Sequence, residues 1–358
     1  MSGSIGAVSS GALGTLIADS HSVRQKLDTL TAQVGDGYVA PTLGGLGGTA
    51  AATVTSLAPA IDRAKAMSDG IDAAAGRMGV AQTALTSISA IASSFYAQVN
   101  KLNGLNASDV DSVAAGARAA LAQVAGLLDT KDGDTFVFAG TAADQAPIAS
   151  PDQIASSGFA TQVAAIVAGL GASGATTAAA ARAVAASNTP GTSPFNPSAM
   201  AAARSSVVTG DGGQTTATGI LASGNADVAS LGAATTGSYS RDILAALATL
   251  GGLSSSQLGL GGFATLVGSV RTSLGGAITA LNADAGVMGD RQTALAARKT
   301  ELADTGTALK GQIGAVRDVD MAATLTKLTQ TQTQLSASYQ LIASVQNLSL
   351  TKYLTAGG

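Results

Sequence analysis

The chain has 358 residues, 45 of them glycine, with 3% aromatics and no tryptophan. That length allows about two or three domains, and helix contacts must be made largely by Ala, Leu, Val and Ile. A net charge of −3, with 19 basic residues and no basic run, argues against nucleic-acid binding, which needs clustered Lys and Arg to neutralise phosphates. The absence of cysteine excludes disulfides, thiolate metal sites and Cys nucleophiles.

Met1 to Ala7 lacks a basic region followed by an apolar core, so no Sec-type signal is predicted there. No uninterrupted apolar stretch reaches the roughly eighteen residues of a membrane span. Residues 1–12 are small and polar and are expected to be disordered on their own. Leu13, Leu16, Val23, Leu27, Leu30 and Val34 then fall at helical spacing, predicting an amphipathic helix that ends near Gly35-Asp36-Gly37. A turn-rich connection follows, Pro41 to Gly48.

In the second helical stretch Leu57, Ala64, Ile71, Met78 and Leu85 repeat every seventh position, with Ile88, Phe95 and Leu102 as a second row. Gly104 and Asn106 punctuate it, and Ser108 is the expected N-cap of the next helix. One face of that helix carries Val110, Val113, Ala117, Leu121, Val124 and Leu128. Asp132-Gly133 signals a turn, and Thr135 to Gly140 reads as a short strand.

From about Ala146 to Phe263 periodicity is lost. This middle region is rich in Ala, Gly, Ser and Thr, with Pro190, Pro194, Pro197 and the turn-like run Gly210-Asp211-Gly212-Gly213. It is expected to be a small, weakly packed, β-containing insert with short helices, one around Asp242–Leu250. Phe159, Ile166, Leu170, Ile220, Leu221, Tyr239, Ile243 and Leu244 supply its core.

A helix is predicted to resume near Phe263, interrupted at Gly275-Gly276. Leu281, Met288, Leu295, Leu302, Leu309 and Val316 then return every seven residues, which marks a long helix whose seam needs a partner. The phase slips at Arg317-Asp318-Val319-Asp320, and a new register runs through Met321, Leu328, Leu335 and Ile342, widened by Leu325, Leu341, Val345 and Leu348. The two helical ends are therefore expected to pair. The predicted fold is mainly α, with long paired N- and C-terminal helices forming a coiled-coil rod and a smaller β-containing or mixed insert domain in the middle. Its expected parts are residues 1–48, 49–145, 146–262, 263–320 and 321–358. The expected assembly interface is Leu16, Val23 and Leu30 with Leu325, Leu328, Leu335, Ile342, Val345, Leu348 and Leu350.

Candidate chemistry is sparse. Gly45-Leu46-Gly47-Gly48-Thr49-Ala50 matches the spacing of a dinucleotide-binding loop, but such a loop must follow a buried strand, so an interhelical turn is predicted and no cofactor. His21 is the only histidine and stands between serines at a helix start, a surface position that excludes a multi-His metal site. Asp318 and Asp320, two residues apart on a helix, would point about 200° apart and are read as tuning helix packing or a subunit contact. Asp109, Asp111, Asp132 and Asp134 lack the spacing of a calcium-binding loop. No convergent nucleophile, base or metal cluster is visible, so no enzymatic activity is expected. The alternation of Thr and Gln over Thr329 to Gln334 gives uncharged hydrogen-bonding side chains, a face that could be solvated in a monomer and buried in a polymer.

Several of these segments together resemble the bacterial flagellin family, which takes in filament flagellins and hook-filament junction (hook-associated) proteins. The similarity lies in Asp318-Val319-Asp320-Met321-Ala322, Leu335 to Gln340 and the ending Leu348 to Leu354, which is closer to the junction type. It also lies in Asp134 to Thr141 with Pro147 soon after, and in the first helix with Gln33 and Gly37. It covers about residues 10–145 and 265–356. The Asp-Asp element that follows the family's first turn is replaced by Pro41 to Gly48, and the Asn-rich start of filament flagellins is absent. The resemblance implies a structural subunit of the extracellular flagellum, exported without a cleaved signal peptide, that polymerises with itself and with neighbouring flagellar axial proteins through its terminal helices. It also implies an export chaperone as partner, and neither nucleic acid nor membrane. The alternative is another secreted helical assembly protein, such as a phage-tail or needle-like subunit.

Overall fold

The computed structural model describes residues 5–102, 106–209, 213–225, 228, 230 and 232–355, with side chains described between residues 14 and 345. The expected breaks at Gly104 and at residues 210–212 lie outside the described residues. Helix makes up 73% of the chain, against two two-stranded hairpins among the described residues, so the class is mainly α. The helices are α1 (Ile5–Asp36), α2 (Gly48–Lys101), α3 (Ala107–Leu128), α4 (Gly158–Ala168), α5 (Gly174–Ala186), α6 (Pro197–Ala202), α7 (Tyr239–Gly251), α8 (Phe263–Arg317) and α9 (Met321–Thr355). The strands are β1 (Lys131–Asp132) paired with β2 (Thr135–Phe136), and β3 (Val207–Thr209) paired with β4 (Thr215–Ala217), both antiparallel.

The chain forms two compact units. One comprises Met1–Lys65 with Ala303–Gly358, the other Ala66–Leu302.

Within the unit 66–302, α2 and α8 run antiparallel, as three side-chain contacts show. Lys299 Nζ lies 2.7 Å from Asp72 Oδ1, Ser89 donates to Asn282 Oδ1 at 3.0 Å, and Gln82 donates to the Ala285 carbonyl at 3.3 Å. The buried rows keep coiled-coil spacing of three and four residues. On α2 they are Ile71, Ala74, Met78, Ala81, Leu85, Ile88, Ala92, Phe95 and Val99, and on α8 Val267, Val270, Leu274, Ala277, Leu281, Asp284 and Met288. The expected break at Gly275-Gly276 does not occur. A Cβ at Gly275 would stand 3.2 Å from Cε2 of Tyr96, so this glycine serves a close approach of the Tyr96 ring and not a helix end.

α3 starts one residue after its N-cap Asn106, so Ser108 is not the cap; it lies inside the first turn. The strand expected over Thr135 to Gly140 is shorter. Only Thr135–Phe136 pairs with β1, because Gly133 takes φ +59° and turns the chain back at once. Beyond it, Ala139 forms one isolated bridge to Leu221.

The middle region holds the short helices and the β-hairpin expected of it, β3–β4, but its core is well buried and not weakly packed. α7, foreseen only as a short helix, is buried along its whole length and packs against α3, α4 and α5. A helix enclosed on all sides must satisfy its polar first turn internally. Tyr239 donates to Asp284 Oδ2 at 3.1 Å, and the Val228 N–H donates to the other oxygen at 3.2 Å. Arg241 donates to the carbonyls of Ala185, Ser187 and Ser223 and to Asn188 Oδ1, and its guanidinium stacks 5.1 Å from the Phe195 ring centre. Asp242 accepts from the Thr235 hydroxyl and, at 2.7 Å, from the Thr236 N–H. Burial pushes the Asp242 carboxyl and the Tyr239 hydroxyl up, and the Arg241 guanidinium down. Of the expected core, Phe159, Leu170, Ile220, Tyr239, Ile243 and Leu244 are buried, while Ile166 and Leu221 are half-buried.

Two measurements follow from this packing. Leu244 is fully buried, so Leu244→Ala should cost about 2–5 kcal/mol in denaturant unfolding, and a loss well under 1 kcal/mol would remove α7 from the core. Desolvation raises Asp129, whose carboxylate accepts the Ile148 N–H at 2.9 Å, from 3.8 to about 6. The folded state then binds the proton more tightly than the unfolded chain, so this contribution is present below pH 3.8 and lost as pH rises through about 6. Asp129→Asn should flatten the melting temperature between pH 4 and 7 without lowering it at pH 7; a marked drop at pH 7 would overturn this account.

Candidate assembly interface

The unit formed by residues 1–65 and 303–358 is built from the two ends of the chain. α1 ends because Gly37 takes φ +75°, and its N–H caps the Gln33 carbonyl at 2.9 Å. The Gln33 side chain then reaches forward to the Val39 carbonyl at 2.8 Å. The segment after α1 is held by the junction between α8 and α9. The Val39 N–H donates to the Arg317 carbonyl at 2.7 Å, the Val319 N–H donates to the Gly37 carbonyl at 3.0 Å, and the Arg317 guanidinium lies 3.9 Å from the Tyr38 ring centre.

The phase slip foreseen at Arg317 to Asp320 is therefore a true helix break. Asp318 leaves the helix to bridge Tyr38, and Asp320 restarts it: its Oδ1 accepts the Ala323 N–H at 3.0 Å. The two carboxylates, expected two residues apart on one helix and pointing about 200° apart, lie instead on either side of a break. One marks the break and the other caps α9.

From this junction α1 and α9 run antiparallel in extensive contact. The seam follows three-and-four spacing on both helices. On α1 it takes Leu16, Ser20, Val23, Leu27, Leu30 and Val34; on α9 it takes Thr324, Leu328, Thr331, Leu335, Ser338, Ile342 and Val345. Leu16, Val23, Leu328, Leu335, Ile342 and Val345 are half-buried, and Leu30 is 7% exposed. Leu325 stands off the seam at 45% exposed. Leu348 and Leu350 belong to α9, but their side chains lie outside the described residues.

Three buried seam positions are hydroxyls: Ser20, Thr324 and Thr331. Ser20 donates to the Ile17 carbonyl at 2.8 Å and Thr331 to the Lys327 carbonyl at 2.7 Å, so each is satisfied on its own helix. The sequence reading missed them because it followed one apolar row. Continuing the alternate row of the Leu328–Leu335 repeat would have found Thr324, Thr331 and Ser338. It also missed the pair of Arg24 and Tyr339, which share a hydrogen bond and a stacked contact at 5.8 Å.

Among the described residues of this unit, Leu30 and Ala64 are the only buried apolar side chains, whereas Ile17, Met321, Leu325, Tyr339 and Leu341 are 41–54% exposed. The other candidates stay apart. His21 is exposed. The Gly45 to Ala50 run is a 3₁₀ turn leading into α2, with no strand before it, which is the interhelical turn expected. Asp111 accepts the Ser255 N–H at 2.9 Å, and among the described residues no group of three or more His, Cys, Asp or Glu is placed to hold a metal. No helix among them is long and apolar enough to cross a membrane.

Fold and site together define a mainly α-helical protein whose chain ends meet in an underfilled coiled coil. Residues 272–354, which span most of α8, the break and nearly all of α9, match the family described as Bacterial flagellin C-terminal helical region. Over that stretch the chain is similar to the C-terminal helical region of bacterial flagellins, a family of structural subunits. No curated protein matched it.

The pairing itself is testable. Leu30→Ala should destabilise the α1–α9 pair by about 2–3 kcal/mol, seen as early loss of amide protection in α1 and α9 while α7 stays protected. Uniform loss of protection across both units would count against an independent seam.

Proposed function

We propose that this protein is an exported axial subunit of the bacterial flagellum that polymerises through α1 and α9. The observation that carries the reading is the set of exposed apolar side chains Ile17, Leu325, Tyr339 and Leu341 around a helix pair whose own seam is filled in part by hydroxyls. Such a pair is marginal alone and gains stability when neighbouring copies cover these side chains. The expected interface residues then divide by task. Leu16, Val23, Leu30, Leu328, Leu335, Ile342 and Val345 hold the pair together, Leu325 faces the next subunit, and Leu348 and Leu350 extend the C-terminal contact.

The ending Leu348 to Leu354 and the lack of the Asp-Asp element after the first helix favour the hook-filament junction type over a filament flagellin. Its partners would then be itself, the adjoining axial proteins and an export chaperone, and its place would be extracellular.

Gold-labelled antibody on whole cells, read by electron microscopy, tests the assignment. A narrow band between hook and filament is the expected result; label along the filament makes it a flagellin, and unlabelled flagella overturn the reading. The two classes of leucine are separated by substitution. Leu325→Asp and Leu341→Asp should leave helix content unchanged and abolish polymerisation, whereas Leu335→Asp should lose both by placing a charge in the seam. Normal polymers from Leu325→Asp would remove Leu325 from the interface.

A further inference from the structure

The unit 66–302 carries a groove of about 960 Å³ that the helix pairing leaves open. Its floor is the face of α8 bearing Gly268, Thr272, Gly275 and Gly276, and its walls carry Arg182 from α5 and Arg271 from α8. Among the described residues no carboxylate lines it. Arg271 lies 5.3 Å from the ring centre of Tyr96, which fixes the guanidinium at the groove. Arg182 acts electrostatically on the buried Asp242 carboxyl, which accepts hydrogen bonds from Thr235 and Thr236. A Cβ at Gly268 or Gly276 would touch nothing within 4 Å, so another backbone can lie close to the helix there.

The same unit presents a complementary projection. The β1–β2 hairpin turns at Gly133 and exposes Asp132 and Asp134 at its tip, with Asp144 exposed in the turn beside it. The cation next to them, Lys131, is drawn over the Phe136 ring at 4.5 Å. The tip is narrow and carries net negative charge.

We propose that the acidic hairpin tip of one copy docks in the arginine groove of the next copy in the polymer. The proposal rests on the assembly reading above. Donor and acceptor surfaces are different patches of one chain, so the contact is heterologous, the kind that propagates into an open polymer and does not close as a two-fold dimer. The glycine-bared helix admits the turn, and Arg182 and Arg271 meet Asp132 and Asp134.

Charge reversal tests it. Arg182→Glu with Arg271→Glu, and separately Asp132→Lys with Asp134→Lys, should each slow polymer growth at low salt by about tenfold, read by light scattering, because like charges then face each other. A one-to-one mixture of the two variants should recover growth, since each supplies what the other lacks. The absence of cysteine gives a second readout that needs no loss of assembly. Asp134→Cys and Thr272→Cys proteins should form an oxidised heterodimer when mixed under polymerising conditions, and neither should do so efficiently alone. If wild-type protein polymerises, the charge variants match it and the cysteines do not cross-link, the hairpin contact is wrong and the assembly reading stands. If wild-type protein does not polymerise at all, both fall together.

Discussion

A helix pair stays together only as well as its seam is filled, and everything in the terminal unit depends on how the α1–α9 seam is filled. Between α2 and α8, large side chains such as Ile71, Met78, Leu85 and Phe95 occupy the seam positions and are almost wholly buried. Between α1 and α9 the equivalent geometry is occupied by Ser20, Thr324 and Thr331 alternating with half-buried leucines. Serine and threonine of that size contribute little apolar area, and the Ser20 and Thr331 hydroxyls return to carbonyls of their own helix, so they are satisfied and add little attraction. The pairing is thereby specified without being made strong.

The junction at residues 37–39 and 317–319 sets the register of that pair. Two main-chain hydrogen bonds and the Arg317–Tyr38 stack tie the exit of α1 to the start of α9, so both helices leave one fixed point. Asp318 and Asp320 belong to this device. The break at Asp318 frees backbone groups for Tyr38 and Val39, and Asp320 supplies a side-chain oxygen where a new helix needs one. This explains in one step why the seven-residue phase changes there and why carboxylates stand on both sides of Val319.

The unit that carries the insert answers to a different constraint. α7 has no solvent face, so the residues of its first turn were forced into an internal network with Asp284 of α8, Asn188, Asn225 and the carbonyls after α5. Asp284 occupies a coiled-coil seam position on α8, where a carboxylate is tolerated because Tyr239 and the Val228 N–H are aimed at it. The insert and the long helices are thus joined by hydrogen bonds as well as by apolar contact.

Much of the helical framework was legible in the residues themselves. Long range order with a period of seven is a one-dimensional signal, and it located α2, α8 and α9, the slip between the last two, and the pairing of the chain ends. The ending of α1 was legible because Gly37 is one of the few residues able to adopt the left-handed conformation a helix stop requires. The insert was not legible, since Ala-, Gly- and Thr-rich segments such as α5 carry no periodic contrast, and a helix buried on every side, as α7 is, has no polar face to reveal its period. The hydroxyl seam was hidden for the same reason: Ser20 and Thr331 look like surface residues until a partner helix lies over them. Sequence alone determined the long terminal helices and that the two ends need each other. Tertiary structure alone decided which side chains fill the seam, because burial is a property of the neighbour and not of the residue.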